Sequence, residues 1–147
     1  IALIGRKESD LRILNHHFKT LEVQVLLPAS HTLARKKALR MQDLSGRPMV
    51  LREERSTTRR AFERAAKAGD LEISQVMQVD SREAIREAVM MGIGFGLVTS
   101  GEILLVDGLC KRSIVDADLK IKFHIACLKS RARRPLISAF RNIAKTI

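Results

Sequence analysis

Apolar and polar residues follow one another along the chain in short blocks that predict alternating strands and helices. Apolar blocks at residues 1–4, 22–27 and 49–51 predict strands, and the first of these is expected to be buried. Pro28 ends the second block, because proline cannot continue a hydrogen-bonded ladder. The residues between the first two blocks predict a polar connector.

Three further segments carry apolar residues at helical spacing. Ser56 is placed to cap the first helix and Gly69 to end it, Asp80 and Glu83 have the spacing of a capping box at the second, and Pro135 opens the third. The apolar stripes are Ala61, Phe62, Ala65 and Ala66, then Ala84, Ile85, Ala88 and Val89, then Ile137, Phe140, Ile143, Ala144 and Ile147.

Further strands are predicted at residues 73–79, 95–99 and 121–128, so helices and strands alternate through the middle of the chain. This order predicts an α/β fold with a mainly parallel sheet. Gly92, Gly94 and Gly96 follow a helix and enter a strand, which is the reverse of the order in a nucleotide-binding loop. They predict a tight turn with positive backbone angles.

Composition narrows the function. The 147 residues are 46% hydrophobic and 29% charged, as in a folded domain, and no apolar run approaches the roughly 20 residues of a membrane helix. We therefore expect a cytoplasmic protein without membrane contact. A start at Ile1, without Met and inside an apolar run, suggests a piece of a longer product. The net charge of +11 favours anionic partners, and the lack of Trp and Tyr disfavours base stacking.

Metal chemistry and catalysis find no support in the pattern of reactive residues. Cys110 and Cys127 form no CxxC, and the neighbours His16 and His17 would face opposite sides of a strand. His31 and His124 are expected to stand alone. No arrangement of Ser, His and Asp singles out a catalytic triad. We expect no catalytic residue, no metal and no cofactor.

One segment suggests a binding site. Ser56, Thr57 and Thr58 stand at the predicted start of a helix, directly after a strand. Free backbone N–H groups, the positive end of the helix dipole and three hydroxyl donors are the ingredients of an anion site. The alternative is that Ser56 simply caps the helix and the two threonines bind nothing. The residues alone leave both interpretations open.

Several motifs, in this order and spacing, resemble the effector-binding domain of LysR-type transcription regulators. They are Leu33-Ala34-Arg35 after His31, Asp43-Leu44-Ser45-Gly46-Arg47-Pro48, Ser56-Thr57-Thr58-Arg59-Arg60-Ala61-Phe62, Val79-Asp80-Ser81 and the stretch 89–98. The resemblance covers essentially the whole chain. It is greatest to members whose ligand loop reads Gly-Ser-Thr-Thr-Arg-Arg, a pattern associated with sulfur, phosphonate or small-acid metabolism.

The resemblance implies a type 2 periplasmic-binding-protein-like fold, with two lobes joined by crossing strands at 22–27 and 121–128. Residues 1–21 and 122–147 would belong to lobe I, which is then incomplete, and residues 22–121 to lobe II. The remainder of lobe I, a linker helix and a DNA-binding winged helix-turn-helix would precede Ile1. The family also implies a homodimer or tetramer and a small anionic effector, such as sulfate, phosphate, a carboxylate or a phosphonate.

Carried onto this chain, the resemblance assigns effector contacts to Ser56, Thr57 and Thr58, with Ser81 as a weaker candidate. Arg6 occupies a position where the family sometimes places a cleft arginine, although an arginine is more often a surface residue. Two positions depart from the family. Arg55 replaces the glycine before the loop serine, which either shifts the loop or adds a charge to it, and Thr32 replaces a proline.

Two other classes of protein remain open at this stage. A solute-binding receptor that feeds a transporter can have the same fold, and so can an enzyme lobe of the dehydratase or deaminase type. Fold alone does not separate these functions from a regulator.

Overall fold

The computed structural model describes residues 1–101 and 107–144. The strands in these residues are β1 (Ala2–Ile4), β2 (Ile13–Pro28), β3 (Pro48–Arg52), β4 (Ser74–Val79), β5 (Phe95–Thr99), β6 (Leu109–Ser113) and β7 (Lys120–Leu128). The α-helices are α1 (Thr57–Ala68), α2 (Arg82–Met90) and α3 (Pro135–Ile143). Short 3-10 helices occupy Thr32–Arg35, Met41–Leu44 and Lys129–Arg131.

The chain divides into two compact units. Unit 1 comprises residues 1–21 and 121–147, and unit 2 comprises residues 22–120. The chain passes from unit 1 to unit 2 within β2 and returns at the start of β7. Each unit has its own architecture and is described separately.

Unit 2 is built on a mixed sheet with the strand order β6-β2-β5-β3-β4. β3 runs parallel to both β4 and β5, whereas β2 runs antiparallel to β5 and β6. The expectation of a mainly parallel sheet therefore holds only for β3, β4 and β5. A parallel pair requires a crossover connection, and α1 and α2 supply the only helical crossovers among the described residues of this unit.

The core of unit 2 forms where α1 and α2 pack on the sheet. Ile85, Ala88 and Val89 of α2 are buried in one cluster with Val50 of β3 and Val98 of β5. On α1 the buried apolar residues are Ala61, Phe62 and Ala66. The apolar stripes predicted for these helices are thus confirmed, with Ala65 and Ala84 half-buried at their margins.

The three glycines between α2 and β5 serve different purposes. Gly92 has a φ of +73°, so it is the residue that needs glycine's access to the left-handed region. A Cβ on Gly94 would lie 2.6 Å from the carbonyl oxygen of Pro48, and a Cβ on Gly96 would overlap Cγ2 of Ile85. The predicted turn is confirmed, but the positive angle is found at Gly92 and not at Gly94 or Gly96. The other two glycines permit close packing.

Unit 1 departs most from the predicted elements. β1 pairs antiparallel with β7, but its side chains are largely exposed, with Leu3 at 58%. The prediction of a buried strand at 1–4 is wrong because apolar character does not by itself provide a covering surface. The prediction of a polar connector is also wrong, since β2 already begins at Ile13. This part of β2 is partly exposed and contains polar residues such as His17 and Lys19, so it lacks the apolar pattern by which strands were predicted.

Helix α3 begins with Pro135 in its first turn, as predicted. None of its residues from Pro135 to Ile143 is buried, and Phe140 and Ile143 are exposed. Ala144, just after the helix, is buried. Ile147, which was predicted to extend the apolar stripe, lies outside the described residues.

Candidate functional site

Two helix starts lie at the same edge of the unit 2 sheet. β3 leads into α1 and β4 leads into α2, and the two strands are parallel neighbours with Arg52 opposite Val79. Their carboxyl ends therefore meet at one edge. Ser56 is the N-cap residue of α1 and Ser81 that of α2. In open α/β sheets this edge is where ligands bind.

The three hydroxyls at the start of α1 have different environments. Ser56 is 9% exposed, and its Oγ accepts a long hydrogen bond of 3.5 Å from the backbone N–H of Arg59. Thr57 is exposed and Thr58 is half-buried. Ser56 thus caps the helix, while the threonines present hydroxyls beside the first turn. The capping role expected of Ser56 is observed, and it leaves a binding role for the threonines open.

Ser81 caps α2 with a shorter bond, since its Oγ accepts from the backbone N–H of Ala84 at 3.0 Å. The predicted capping box at Asp80 and Glu83 is therefore misplaced by one residue. The serine hydroxyl fits the cap, because the residue three positions later offers a free N–H. Ser81 is half-buried.

Arg59, which sequence analysis did not single out, is the buried charge nearest these helix starts. Its side chain is 10% exposed and forms an ion pair with Glu63 one turn later, with Nε to Oε1 at 2.6 Å. Its Nη1 donates to the backbone oxygen of Arg52 and to Oε1 of Gln78, each at 2.8 Å. The i,i+4 spacing of Arg59 and Glu63 indicates their ion pair, but it gives no signal for the bonds to Arg52 and Gln78.

The loop between β3 and α1 also carries fixed charge. Arg52 donates to both carboxylate oxygens of Glu53, at 2.8 and 3.2 Å. The pKa of Glu53 lies below its ordinary value: partial burial acts to raise it, but the Arg52 hydrogen bond, a backbone hydrogen bond and the charges of Arg52 and Arg59 outweigh that effect. Arg55 is exposed and does not adopt a positive φ, so replacement of the family's glycine causes no left-handed strain here.

Arg6 belongs to unit 1, whereas Ser56, Thr57, Thr58 and Ser81 belong to unit 2. Its side chain is 69% exposed and forms an ion pair with Glu8 at 3.4 Å. This is the environment of a surface arginine. A role for Arg6 in binding remains a prediction.

The histidines are less isolated than expected. His31 caps the 3-10 helix Thr32–Arg35, and its Nδ1 accepts from the backbone N–H of Leu33 at 3.1 Å. The rings of His17 and His124 meet edge to face with centroids 5.7 Å apart. The prediction that His124 stands alone is therefore wrong, because its ring contacts that of His17. Within residues 1–101 and 107–144, no group of three or more His, Cys, Asp or Glu residues is arranged to hold a metal ion.

A depression of about 510 Å³ lies at the opposite end of α1 from the hydroxyls. It is lined by Arg64, Gly69, Asp116 and Asp118, among others. The C-terminal end of a helix attracts cations, so this depression is poorly suited to an anion.

Both cysteines are free. None of the helices in the described part of the chain is long and apolar enough to cross a bilayer.

Comparison with known proteins identifies relatives for the whole chain. The profile of the LysR substrate binding domain matches residues 1–146. The HTH-type transcriptional activator CmpR of Synechocystis is 30% identical over 99 residues, which cover 67% of this chain and 33% of CmpR. The RuBisCO operon transcriptional regulator of Allochromatium vinosum is 27% identical over 146 residues, covering 96% and 48%. The chain thus spans half or less of the length of these relatives.

Solved structures show the same fold. The regulatory domain of Synechocystis CcmR in complex with 2-PG superposes with a TM-score of 0.86 at 18% identity, covering 98% of this chain and 71% of that one. The effector binding domain of BenM with benzoate gives 0.82 at 19% identity, covering 98% and 67%. That of QuiR with shikimate gives 0.84 at 18% identity, covering 97% and 68%. The fold is the type 2 periplasmic-binding-protein-like α/β fold expected from the sequence.

Proposed function

This chain belongs to the LysR substrate binding domain family, and from that premise we propose that it senses a small anionic effector on behalf of a transcription regulator. The curated relatives are regulators of transcription and not enzymes. A solute-binding receptor for a transporter is therefore not favoured, and no enzymatic role is proposed.

The observation that carries the proposal is the start of α1. Thr57 and Thr58 present hydroxyls in the first turn of a 12-residue helix, at the carboxyl edge of β3 and β4. The positive end of a helix dipole contributes about 0.3 to 1 kcal/mol toward an anion. Each hydrogen bond from a hydroxyl to a charged ligand adds roughly 1.5 to 3 kcal/mol. Two such bonds with the dipole support measurable binding, and Ser81 offers a third donor at the same sheet edge.

The neighbours suggest the chemical class of the effector. 2-PG, shikimate and benzoate, the compounds bound to CcmR, QuiR and BenM, are all small acids. We propose an effector of the same class, carrying a carboxylate, phosphate or phosphonate, or inorganic sulfate or phosphate itself.

Units 1 and 2 are proposed to correspond to lobes I and II of the family, with the crossing strands in β2 and β7. The whole protein would act in the cytoplasm and bind DNA through a winged helix-turn-helix outside this chain. We also propose that it is a homodimer or tetramer. The apolar stripe of α2 is mostly buried in unit 2. The exposed apolar residues available to a second copy are Val76 and Met77 of β4 and Met90 and Met91 at the end of α2.

The test of the proposed function is a binding screen by isothermal calorimetry. The panel contains 2-PG, shikimate, benzoate, inorganic sulfate and inorganic phosphate, each titrated into the chain at low ionic strength. Neutral analogues such as benzamide serve as controls. The proposal expects at least one anion to bind while its neutral analogue does not. Failure of every anion on the panel would contradict it.

A further inference from the structure

We infer that Arg59 is the positioning residue of the proposed effector site, because one guanidinium in the first turn of α1 bonds to both strands that lead into the two helix starts. This inference rests on the proposed function, since it concerns the same hydroxyls. It assigns to Arg59 no contact with the effector itself. Its effect on binding is exerted through Thr57, Thr58 and Ser81.

Arg59 closes the loop between β3 and α1. Arg59 stands in the first turn of α1, and its Nη1 donates to the backbone oxygen of Arg52, the last residue of β3, at 2.8 Å. The loop thus has its two ends joined by a hydrogen bond from a side chain that is almost fully buried. Thr57 and Thr58 lie between these two fixed points. The backbone that carries their hydroxyls is therefore tied to the end of β3.

Arg59 also bonds to β4, the strand that leads into the other helix start. The same Nη1 donates to Oε1 of Gln78 in β4 at 2.8 Å. Gln78 lies opposite Leu51 in the parallel β3–β4 pair, and Ser81 follows it by three residues. One nitrogen thus bonds to the strand before α1 and to the strand before α2. That shared donor adds a side-chain connection to the backbone pairing of β3 with β4, next to the threonine hydroxyls and Ser81.

The chemistry of the arginine side chain suits Arg59 to these bonds. A planar guanidinium presents several donors in fixed directions, whereas a lysine ammonium is a compact charge on a flexible stem. Arg59 uses Nη1 toward the two strands and Nε toward Glu63 in its own helix. Burial of a charge is costly unless it is paired and hydrogen-bonded, and these partners meet that requirement. Lysine could keep the charge but not this set of directions.

The experiment measures binding of inorganic phosphate to the 147-residue chain by NMR titration, which detects weak affinities. Arg59→Lys keeps the charge and removes the directed bonds, and Arg60→Lys is the matched control on the neighbouring exposed position. We expect Arg59→Lys to weaken phosphate binding at least tenfold and Arg60→Lys to change it less than twofold. Circular dichroism establishes that each variant is folded. A purely structural role would lower stability and leave the affinity of the folded chain unchanged.

A second pair of variants keeps the inference testable if Arg59→Lys does not fold. Gln78 and Gln75 are both exposed residues of β4, and only Gln78 accepts from Arg59 in the described contacts. Gln78→Met is expected to weaken phosphate binding at least threefold, and Gln75→Met to leave it unchanged. Equal affinities in wild type, Arg59→Lys and Gln78→Met would overturn the positioning role alone. If the wild-type chain gives no shifts at Thr57, Thr58 or Ser81 with phosphate or with any anion of the calorimetric panel, the proposed function itself fails at this loop.

Discussion

Helices α1 and α3 have similar apolar stripes but very different surroundings. Phe62 of α1 is 0% exposed in the core of unit 2, whereas Phe140 of α3 is 50% exposed in unit 1. Three apolar residues of α1 are buried and none of α3 is. The comparison teaches that periodicity determines which side of a helix is apolar. Whether that side contributes to stability depends on the sheet that covers it.

The two units also differ in charge. Unit 1 contains eleven Lys and Arg residues against two acidic ones, and unit 2 contains sixteen against fourteen. Most of the net +11 charge therefore belongs to unit 1. The unit that carries the threonine hydroxyls is nearly neutral. The anion binding that we propose for this unit therefore relies on local donors and the α1 dipole more than on the net charge of the unit.

The largest expected effect is the difference in stability between alanine substitutions of the two phenylalanines. Phe62→Ala removes a buried ring and should lower the free energy of unfolding by about 3 to 5 kcal/mol. Phe140→Ala removes a half-exposed ring from a helix without buried residues, and we expect a loss below about 1 kcal/mol. Urea denaturation of the two variants measures both values. Equal losses would show that the apolar side of α3 is covered as well as that of α1.

A smaller effect tests the contact between α2 and β5 in unit 2. Gly96→Ala places a methyl group against Cγ2 of Ile85 and 3.3 Å from Cγ2 of Val89. Overpacking of this kind costs about 1 to 3 kcal/mol. Ile85→Leu moves the branch away from Cβ, so the double variant should recover part of the loss. Thermal unfolding measures the loss of stability. An unchanged melting temperature for Gly96→Ala would mean that α2 shifts away from β5 without loss of stability.

The smallest effect compares two carboxylates whose pKa values are lowered. The backbone N–H of Arg40, with the Lys36 side chain, lowers the pKa of Asp43 in unit 2, and the Arg12 side chain lowers that of exposed Asp10 in unit 1. A lowered pKa stabilises the folded chain above the unfolded value of about 3.9, and this contribution is lost as the pH falls through the folded pKa. Asp43→Asn should therefore cost about 0.5 to 1 kcal/mol at neutral pH and little near pH 2.

Asp10→Asn is the control for that titration, and we expect it to change stability less than Asp43→Asn at every pH. Denaturation curves between pH 7 and pH 2 provide the comparison. A gap between wild type and Asp43→Asn that stays constant down to the lowest pH would contradict the assigned cause.

The sequence predicts correctly those helices and strands whose apolar residues are also buried in the structure. Helix α1 was predicted from its cap at Ser56 to its end at Gly69, and β5 was predicted in full, because buried apolar residues mark both elements and capping residues mark the ends of α1. It was insufficient in unit 1, where β2 begins among polar residues. It also missed β6, whose residues Leu109–Ser113 include Lys111 and Arg112 and do not resemble a buried strand.

The candidate site shows the same division. Ser56 could be predicted as a helix cap because capping is a local interaction, whereas the cap of α2 was predicted one residue early, at Asp80 and not at Ser81. The role of Arg59 could not, because it depends on Gln78, nineteen residues away in the chain. Long-range hydrogen bonds leave no spacing rule in a single sequence. The shared sheet edge of α1 and α2 likewise emerges only from the pairing of β3 with β4.

The most direct test of the central claim is calorimetry of the Thr57→Ala, Thr58→Ala double variant with the anion that the wild-type chain binds. Loss of even one hydroxyl bond to a charged ligand, roughly 1.5 kcal/mol, corresponds to about a tenfold weaker affinity. Since neither threonine caps the helix, stability should change by less than about 0.5 kcal/mol. We predict at least tenfold weaker binding with unchanged folding, and an unchanged affinity would contradict the assignment of the effector site to these hydroxyls.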